Sequence, residues 1–446
     1  MTAAPRSLTF GRVLSTWWPL AASWLLMGIE MPFIAAILGR LPDAEVQLAA
    51  YGGVVFPVSL LIESPVIMLL AASTRLSDSP ENFKFLQRFS RYLGVGFSTI
   101  HGLFAFTPLF DWVIVPLLDP PEELLESSRL GLQLMLPFTI AVAERRFHQG
   151  LLIRFGRQRQ VGYGTVIRLV ATAIPLGIAL MLQSKHGAAF AAGAVSCGVV
   201  AEAIYARIGA LAVERGPLRR APETVRLDLA KTLRFYIPLA LTSTISLVSF
   251  PIASAGMSRM PEALASLALW PAVSGLSFFT RSSGVAFNEV AVRHAGDPDG
   301  PRTLRRFSIV MGLGFSAVVA LIAWSPLGAL WYVDLEGSPP DTLPLAIAAT
   351  WAMLPMPILT FLASYWQGLL VDVHRTRPIS EGVGIGLLAI IVSLVGFVVF
   401  PVLGGAVAAI IALSIGSAAQ AGWLWWSWRR VSRTIGLDPP PTPPDS

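Results

Sequence analysis

Long apolar segments recur along the whole sequence and constrain the fold more than any other feature. Each has roughly 20 residues or more, the length that a helix needs to cross the hydrocarbon core of a bilayer. Only 13% of the 446 residues are charged, whereas a soluble domain has about 25%. The sequence therefore predicts an all-α polytopic membrane protein with twelve transmembrane helices. The predicted spans are 14–38, 47–73, 89–117, 129–155, 161–182, 187–212, 231–257, 262–292, 304–332, 343–372, 378–400 and 403–430.

Two pairs of matching segments indicate a tandem duplication. Residues 135–159 contain the motifs Met-Leu-Pro, Gln-Gly-Leu-Leu and Arg-x-Arg, and residues 353–377 contain the same motifs 218 positions later. Residues 18–44 and 237–263 share matched prolines and an arginine at an offset of 219. Duplicated membrane units are typical of transporters. We therefore predict two pseudo-symmetric six-helix lobes, related by an axis along the membrane normal, and we interpret the shared motifs as scaffold.

Prolines and charges indicate the lobe boundaries and the orientation. We predict an N-terminal lobe at 1–212, a connector at 213–230, a C-terminal lobe at 231–432 and a disordered proline-rich tail at 433–446. Arginine and lysine concentrate in the connector and in alternate loops, and these residues favour the cytoplasmic side. We therefore predict a multi-pass protein of the cell (inner or plasma) membrane with both termini in the cytoplasm.

The composition disfavours several classes of function. The net charge of +6 comes almost wholly from arginines between hydrophobic runs, so we predict no nucleic-acid partner. Cys197 is the only cysteine, which excludes an intramolecular disulfide and a cysteine-based metal site. None of the three lysines follows a glycine, so the Gly-Lys-Ser/Thr of a P-loop is absent. We expect no cofactor and no metal, and any active transport is secondary or depends on a partner.

Ionisable side chains inside the apolar spans are the main candidates for function. Each costs at least about 2.5 kcal/mol to insert into a bilayer, so such groups mark substrate or ion pathways. The predicted cavity-lining residues are Glu30, Glu63, His101, Arg145, Arg146, Arg168 and Arg281. The secondary candidates are Glu144, His148, Glu202 and Asn288.

The two copies of the repeat differ in charge. The charged stretch of the first copy is Glu144, Arg145, Arg146 and His148, and its counterpart in the second is Leu362, Ala363, Ser364 and Trp366. An arginine fork binds phosphate or carboxylate through parallel hydrogen bonds. Arg145, Arg146 and Arg168 therefore favour an anionic substrate. The alternative is that they are arginines of the cytoplasmic interface.

Glu63 and Arg281 occupy equivalent places in the two lobes. If both face inward, a central cavity has one acidic and one basic wall; alternatively, the two form a buried structural ion pair. Glu63 or Glu30 would couple transport to protons or adjust the charge, and the expected coupling ion is H⁺ or Na⁺. His101 is either a proton relay, because histidine titrates near neutrality, or a packing residue bonded to a carbonyl.

Short motifs resemble those of known exporters. The two six-helix lobes, with prolines in spans 1 and 7, resemble the multidrug and toxin extrusion (MATE)-like superfamily. Leu48–Gly52, His101–Thr107, Leu136–Phe138 and Phe235–Leu241 are similar to segments of the progressive ankylosis (ANK) family, and Gly28-Ile29-Glu30 matches its glycine-x-glutamate loosely. This resemblance implies export of anions such as pyrophosphate, ATP or citrate across the cell membrane.

The sequence thus predicts a monomeric secondary transporter that works by alternating access between two lobes and exports a small organic or phosphate-bearing anion. One alternative is cation- or proton-coupled multidrug efflux, in which Glu30 and Glu63 bind substrate. Another is a flippase for a lipid-linked precursor. An enzyme is disfavoured and no catalytic residue is predicted, because His101 has no Asn or Asp partner in its own span.

Overall fold

All twelve predicted spans are mostly helical in the computed structural model, which describes residues 7–222 and 225–434. The prediction of a disordered proline-rich tail falls almost wholly on residues 435–446, which lie outside the described part. The helices are α1 (Phe10–Gly28), α2 (Glu30–Leu38), α3 (Ala44–Ala49), α4 (Phe56–Ile67), α5 (Leu69–Leu76), α6 (Pro80–Phe106), α7 (Val115–Leu118), α8 (Leu125–Leu134), α9 (Leu136–Arg154), α10 (Gln158–Leu182), α11 (Gly187–Val213), α12 (Leu229–Leu247), α13 (Ser249–Ser258), α14 (Ala263–His294), α15 (Gly300–Trp324), α16 (Leu327–Ala329), α17 (Leu343–Ala352), α18 (Met356–Asp372), α19 (Arg377–Val399) and α20 (Gly405–Thr434).

The length and apolarity of these helices confirm a polytopic membrane fold. Within the described part, ten helical stretches are long and apolar enough to cross a bilayer. A further pair, α6 with the segment Phe110–Leu118, is bent by 86° and coincides with the third predicted span. The fourth predicted span coincides with α8 and α9. It is less apolar than the other spans because charged residues interrupt α9, namely Glu144, Arg145, Arg146 and Arg154.

The first helix of each repeat is broken at the same place. Helix α1 ends at Gly28 and α12 ends at Leu247. Pro32 and Pro251 each lie four residues further on and have no backbone N–H to donate to those carbonyls. The missing hydrogen bond explains why a second helix, α2 or α13, begins directly after the break.

The chain forms two units of internal contacts. Unit 1 comprises the described residues up to Pro32, Ala272–Leu335 and the described residues from Pro340 onward. Unit 2 comprises Phe33–Pro271, without the two residues that are not described, and Glu336–Pro339. The first helix of each repeat is therefore in the unit that contains most of the other repeat. The predicted lobes at 1–212 and 231–432 correspond to the two sequence repeats. Their assignment as structural domains stays a prediction.

Two equivalent hydrogen bonds anchor the exchanged helices. In unit 1, Trp17 Nε1 of α1 donates to the Ser283 carbonyl at 2.9 Å. In unit 2, Tyr236 Oη of α12 donates to the Pro65 carbonyl at 2.6 Å. Trp17 and Tyr236 are 219 residues apart, and Pro65 and Ser283 are 218 apart. The predicted offset of 218 to 219 residues between the repeats therefore also relates the hydrogen bond of α1 to that of α12.

Each unit has its own apolar core. In unit 1 the rings of Phe287 and Phe307 stack with centroids 5.2 Å apart, and the Trp17 ring meets Phe307 edge-on at 5.5 Å. In unit 2 the rings of Phe83 and Phe147 are 5.3 Å apart. Aromatic pairs at these distances add stabilisation beyond the burial of their area. Phe147 lies in the charged stretch of α9, so this core holds the candidate site in place.

Candidate functional site

The carboxylate of Glu202 on α11 is the centre of a buried polar cluster in unit 2. Its side chain is 2% exposed. Arg145 Nη1 donates to Glu202 Oε2 at 2.7 Å, and Gln149 Nε2 donates to Oε1 at 2.8 Å. Arg168 Nε lies 3.8 Å from Oε2. A buried charge needs such partners, because an unpaired carboxylate in an apolar medium is very costly.

The helix geometry explains how these groups meet. Arg145 and Gln149 are one turn apart on α9 and therefore share a face. Arg168 comes from α10, which packs closely on α11 at Gly198, one turn before Glu202. A Cβ at Gly198 would lie 2.9 Å from the Arg168 carbonyl oxygen, so a glycine is required at this crossing.

Arg146, which is half-buried, extends the cluster towards α4. Its guanidinium lies within electrostatic range of Glu63 and Glu202, and also of Arg145 and Arg168. Arg146 Nε has no hydrogen-bond partner in the described part of the chain. The cluster thus contains three guanidinium groups and two carboxylates, which leaves one positive charge in excess when all are ionised.

A second polar network surrounds His148. The buried ring lies with Nδ1 2.7 Å from the Glu144 carbonyl and Nε2 3.4 Å from Arg207 Nη1. A guanidinium can only donate, so Nε2 accepts and the proton resides on Nδ1. Arg207 also pairs with Glu214, and Glu144 pairs with Arg91 at 3.4 Å. These contacts give Glu144 and His148 local partners separate from Glu202.

His101 has a partner at each ring nitrogen. The side chain is fully buried, with Nε2 2.9 Å from the Leu132 carbonyl and Nδ1 3.4 Å from Thr139 Oγ1. A buried imidazole held in this way fixes the packing of α6 against α8 and α9. The geometry favours the packing interpretation over a proton relay.

Three predicted residues lie in unit 1. Glu30 is the first residue of α2, directly after the break. Arg281 Nε donates to Thr360 Oγ1 at 3.2 Å, and Asn288 Nδ2 donates to Gln367 Oε1 at 2.8 Å. Glu63 and Arg281 belong to different units, so a cavity with one acidic and one basic wall stays a prediction.

Sequence reasoning gave too little weight to two residues of the cluster. Glu202 was a secondary candidate, although it is the central acceptor. Gln149 was interpreted as scaffold because its motif recurs at Gln367. The sequence feature that indicates a role for Gln149 is its position one turn after Arg145, on a helix face that is otherwise apolar. A shared motif can therefore contribute to a site in one copy of the repeat.

Comparisons with known proteins identify the fold. Neither the sequence profiles of known families nor the sequences of curated proteins match this chain. Among solved structures, an inward-facing multidrug resistance MATE family transporter of the MOP superfamily matches with a TM-score of 0.75 at 15% identity, covering 94% of this chain and 100% of that one. The chain shares the MATE fold.

Two other solved structures extend this comparison. An outward-facing conformation of a multidrug resistance MATE family transporter matches with a TM-score of 0.62 at 15% identity, covering 98% of this chain and 100% of that one. The lipid II flippase MurJ, in an inward closed conformation, matches with a TM-score of 0.63 at 14% identity, covering 90% and 87%. The predicted MATE-like fold is confirmed. The predicted closeness to the ANK family stays a prediction.

Proposed function

We propose that this chain is a secondary transporter that moves a small organic or phosphate-bearing anion by alternating access. The observation that carries the proposal is the excess of arginine over carboxylate in the buried cluster of unit 2. An arginine fork matches phosphate and carboxylate oxygens in geometry as well as in charge. The MATE fold supports the transport part of the proposal.

Arg146 is the residue that we assign to anion binding. Glu202 accepts hydrogen bonds from Arg145 Nη1 and Gln149 Nε2, whereas Arg146 interacts with this carboxylate through charge alone. Nε of Arg146, like Nε of Arg145, has no hydrogen-bond partner among residues 7–222 and 225–434. A bound anion would compensate the excess positive charge and accept from this guanidinium. Glu202 then acts as a positioning residue that holds Arg145 and Arg168 in place.

The first test is a thermal-shift screen of the full chain in detergent with pyrophosphate, citrate and the lipophilic cation tetraphenylphosphonium. We expect the anions to raise Tm and the cation to have little effect. Arg146→Gln should weaken the anion effect by about 10- to 100-fold in concentration, because a hydrogen bond to a charged group contributes about 1.5–3 kcal/mol. Arg159→Gln removes the same charge from an exposed position in the first turn of α10 and is the matched control. Stabilisation by the cation alone would contradict the proposal.

Proton-coupled efflux of cations is the second candidate, and the acidic residues Glu30 and Glu63 favour it. Multidrug transporters are among the proteins of this fold. In that case Glu63→Gln abolishes transport of tetraphenylphosphonium in proteoliposomes, while Arg281→Ala has a smaller effect. Uptake that is insensitive to an imposed pH gradient would contradict proton coupling for either class of substrate.

A further inference from the structure

A groove runs between α19 and α20 on unit 1, at the end of these helices where arginines concentrate. One cavity of about 580 Å³ is lined mainly by apolar and aromatic side chains, including Leu388, Trp423 and Trp426. An adjoining cavity of about 450 Å³ contains Arg375 and Arg377. Pro378, Glu381, Arg430 and Val431 line both cavities, so the two form one groove that changes from apolar to cationic along its length.

The cationic end of the groove has a clear excess of positive charge. Arg375, Arg377 and Arg430 line it, and Glu381 is its one carboxylate within the described chain. Glu381 Oε1 accepts from Arg377 Nε at 2.8 Å. The other two arginines are therefore available to an anionic group, which makes this end complementary to a phosphate.

Two neighbouring tryptophan rings lie beside Arg430 at the apolar end. The guanidinium carbon of Arg430 lies 5.5 Å from the Trp426 ring centroid, and the Trp423 and Trp426 rings are 5.0 Å apart. Tryptophan and arginine concentrate where a membrane helix passes from hydrocarbon to headgroups. Arg377 begins a helix that is long and apolar enough to cross a membrane, so the groove crosses this boundary.

A glycine keeps the apolar end open. A Cβ at Gly384 would have no heavy atom of the described chain within 4 Å, apart from its own helix. From Leu388 in the groove, Val392 and Val395 continue along the same helix, and all three have more than half of their surface exposed. An acyl chain that leaves the groove would follow this row.

We propose that the groove binds one membrane lipid with an anionic phosphate headgroup. Arg375 and Arg430 contact the phosphate, and the acyl chain lies over Gly384 and Leu388 against the tryptophan rings. A lipid fits the whole groove, whereas an aqueous anion would use the arginines and leave the apolar end of the groove empty. The site lies outside the cluster around Glu202 and is independent of the transported substrate.

Native mass spectrometry of the full chain in detergent tests the proposal, with phosphatidylglycerol and phosphatidylcholine of identical acyl chains as probes. We expect one additional phosphatidylglycerol molecule to remain bound and phosphatidylcholine to bind more weakly. Arg430→Gln should weaken phosphatidylglycerol binding about fivefold, because a basic residue at a membrane surface contributes about 1 kcal/mol to binding anionic lipid. Excess glycerol phosphate should not displace the lipid.

Gly384→Leu fills the groove, and Gly396→Leu is its matched control. Gly396 is another open position of α19, near the opposite end of the helix. Gly384→Leu should lose the bound lipid while Gly396→Leu keeps it. Equal lipid binding by the two leucine variants, equal binding of the two lipids, or displacement by glycerol phosphate would overturn the proposal. Lipid retention that requires residues 435–446 would also overturn it, because the tail would then be the binding element.

Discussion

Helices α8–α11 of the first repeat and α17–α20 of the second share one frame but differ in their polar side chains. Ser196 Oγ donates to the Leu134 carbonyl at 2.9 Å, and Ser414 Oγ donates to the Ala352 carbonyl at 2.8 Å. Both residues of the second bond lie 218 positions after those of the first. The same serine-to-carbonyl hydrogen bond therefore joins α11 to α8 in the first repeat and α20 to α17 in the second.

The difference lies in the side chains on that frame. Arg145, Arg168 and Glu202 correspond to Ala363, Gly386 and Gln420. The second repeat packs α19 on α20 through glycines: a Cβ at Gly416 would lie 2.8 Å from the Gly386 carbonyl oxygen. The frame therefore forms without buried charge. This comparison shows that the charges of the first repeat are an addition to the scaffold, which is why we assign function to them.

The largest expected effect comes from removing the central carboxylate. Glu202→Gln introduces the residue of the second repeat but leaves Arg145 and Arg168 buried without their partner. Breaking a buried pair in this way costs about 3–5 kcal/mol. We expect a large fall in Tm in detergent, and little change for the control Gln420→Leu. A Glu202→Gln protein as stable as the parent chain would contradict the ion pairing.

The next change converts the whole cluster. The triple variant Arg145→Ala, Arg168→Gly, Glu202→Gln has the composition of the second repeat and leaves neither arginine unpaired. We expect it to be more stable than Glu202→Gln alone, because replacing a complete buried ion network is often close to neutral. The difference in Tm between the two variants, measured side by side, shows how much of the destabilisation by Glu202→Gln comes from the unpaired arginines. If the triple variant is the less stable, the charges support the frame itself.

The helix crossings should respond alike in both repeats. Gly198→Ala and Gly416→Ala each place a methyl group against a carbonyl oxygen of the neighbouring helix. We expect each to cost about 1–3 kcal/mol by overpacking. Gly177→Ala and Gly422→Ala, at open helix positions, are the controls. A cost at Gly198 without one at Gly416 would show that the two frames are not equivalent.

The last effect depends on pH and concerns a loop of unit 2. Glu336 is 2% exposed and stands where the first repeat has the buried Leu118. Burial raises the pKa of the Glu336 carboxyl to about 9, although Arg40 opposes this rise. The folded state then holds a proton that the unfolded state releases between pH 4.5 and about 9, so stability falls as the pH rises through this window.

Glu336→Leu should remove this dependence, so that its stability relative to the parent chain increases from pH 6 to pH 8.5. The measurement is Tm at several pH values from 6 to 8.5. Asp341→Leu, at an exposed position of the same loop, should leave the dependence unchanged. An identical pH profile for the parent chain and Glu336→Leu would show that Glu336 is not the titrating group.

Local sequence determined the parts of the fold that could be predicted. Apolar length gave the helices, and matched prolines such as Pro32 and Pro251 gave the repeat and its breaks. The partners of Glu202 could not be predicted, because they come from two other helices and depend on how those helices cross. The exchange of α1 and α12 was also unpredicted, since the bonds of Trp17 and Tyr236 join residues at least 171 positions apart.

Anion binding at Arg146 is tested by equilibrium binding of radiolabelled pyrophosphate and citrate to the parent chain, Arg146→Gln and Arg159→Gln. We expect saturable binding of at least one anion to the parent chain and to Arg159→Gln. Binding to Arg146→Gln should be about 10- to 100-fold weaker. Equal affinity of the parent chain and Arg146→Gln for the anion would show that Arg146 does not bind it.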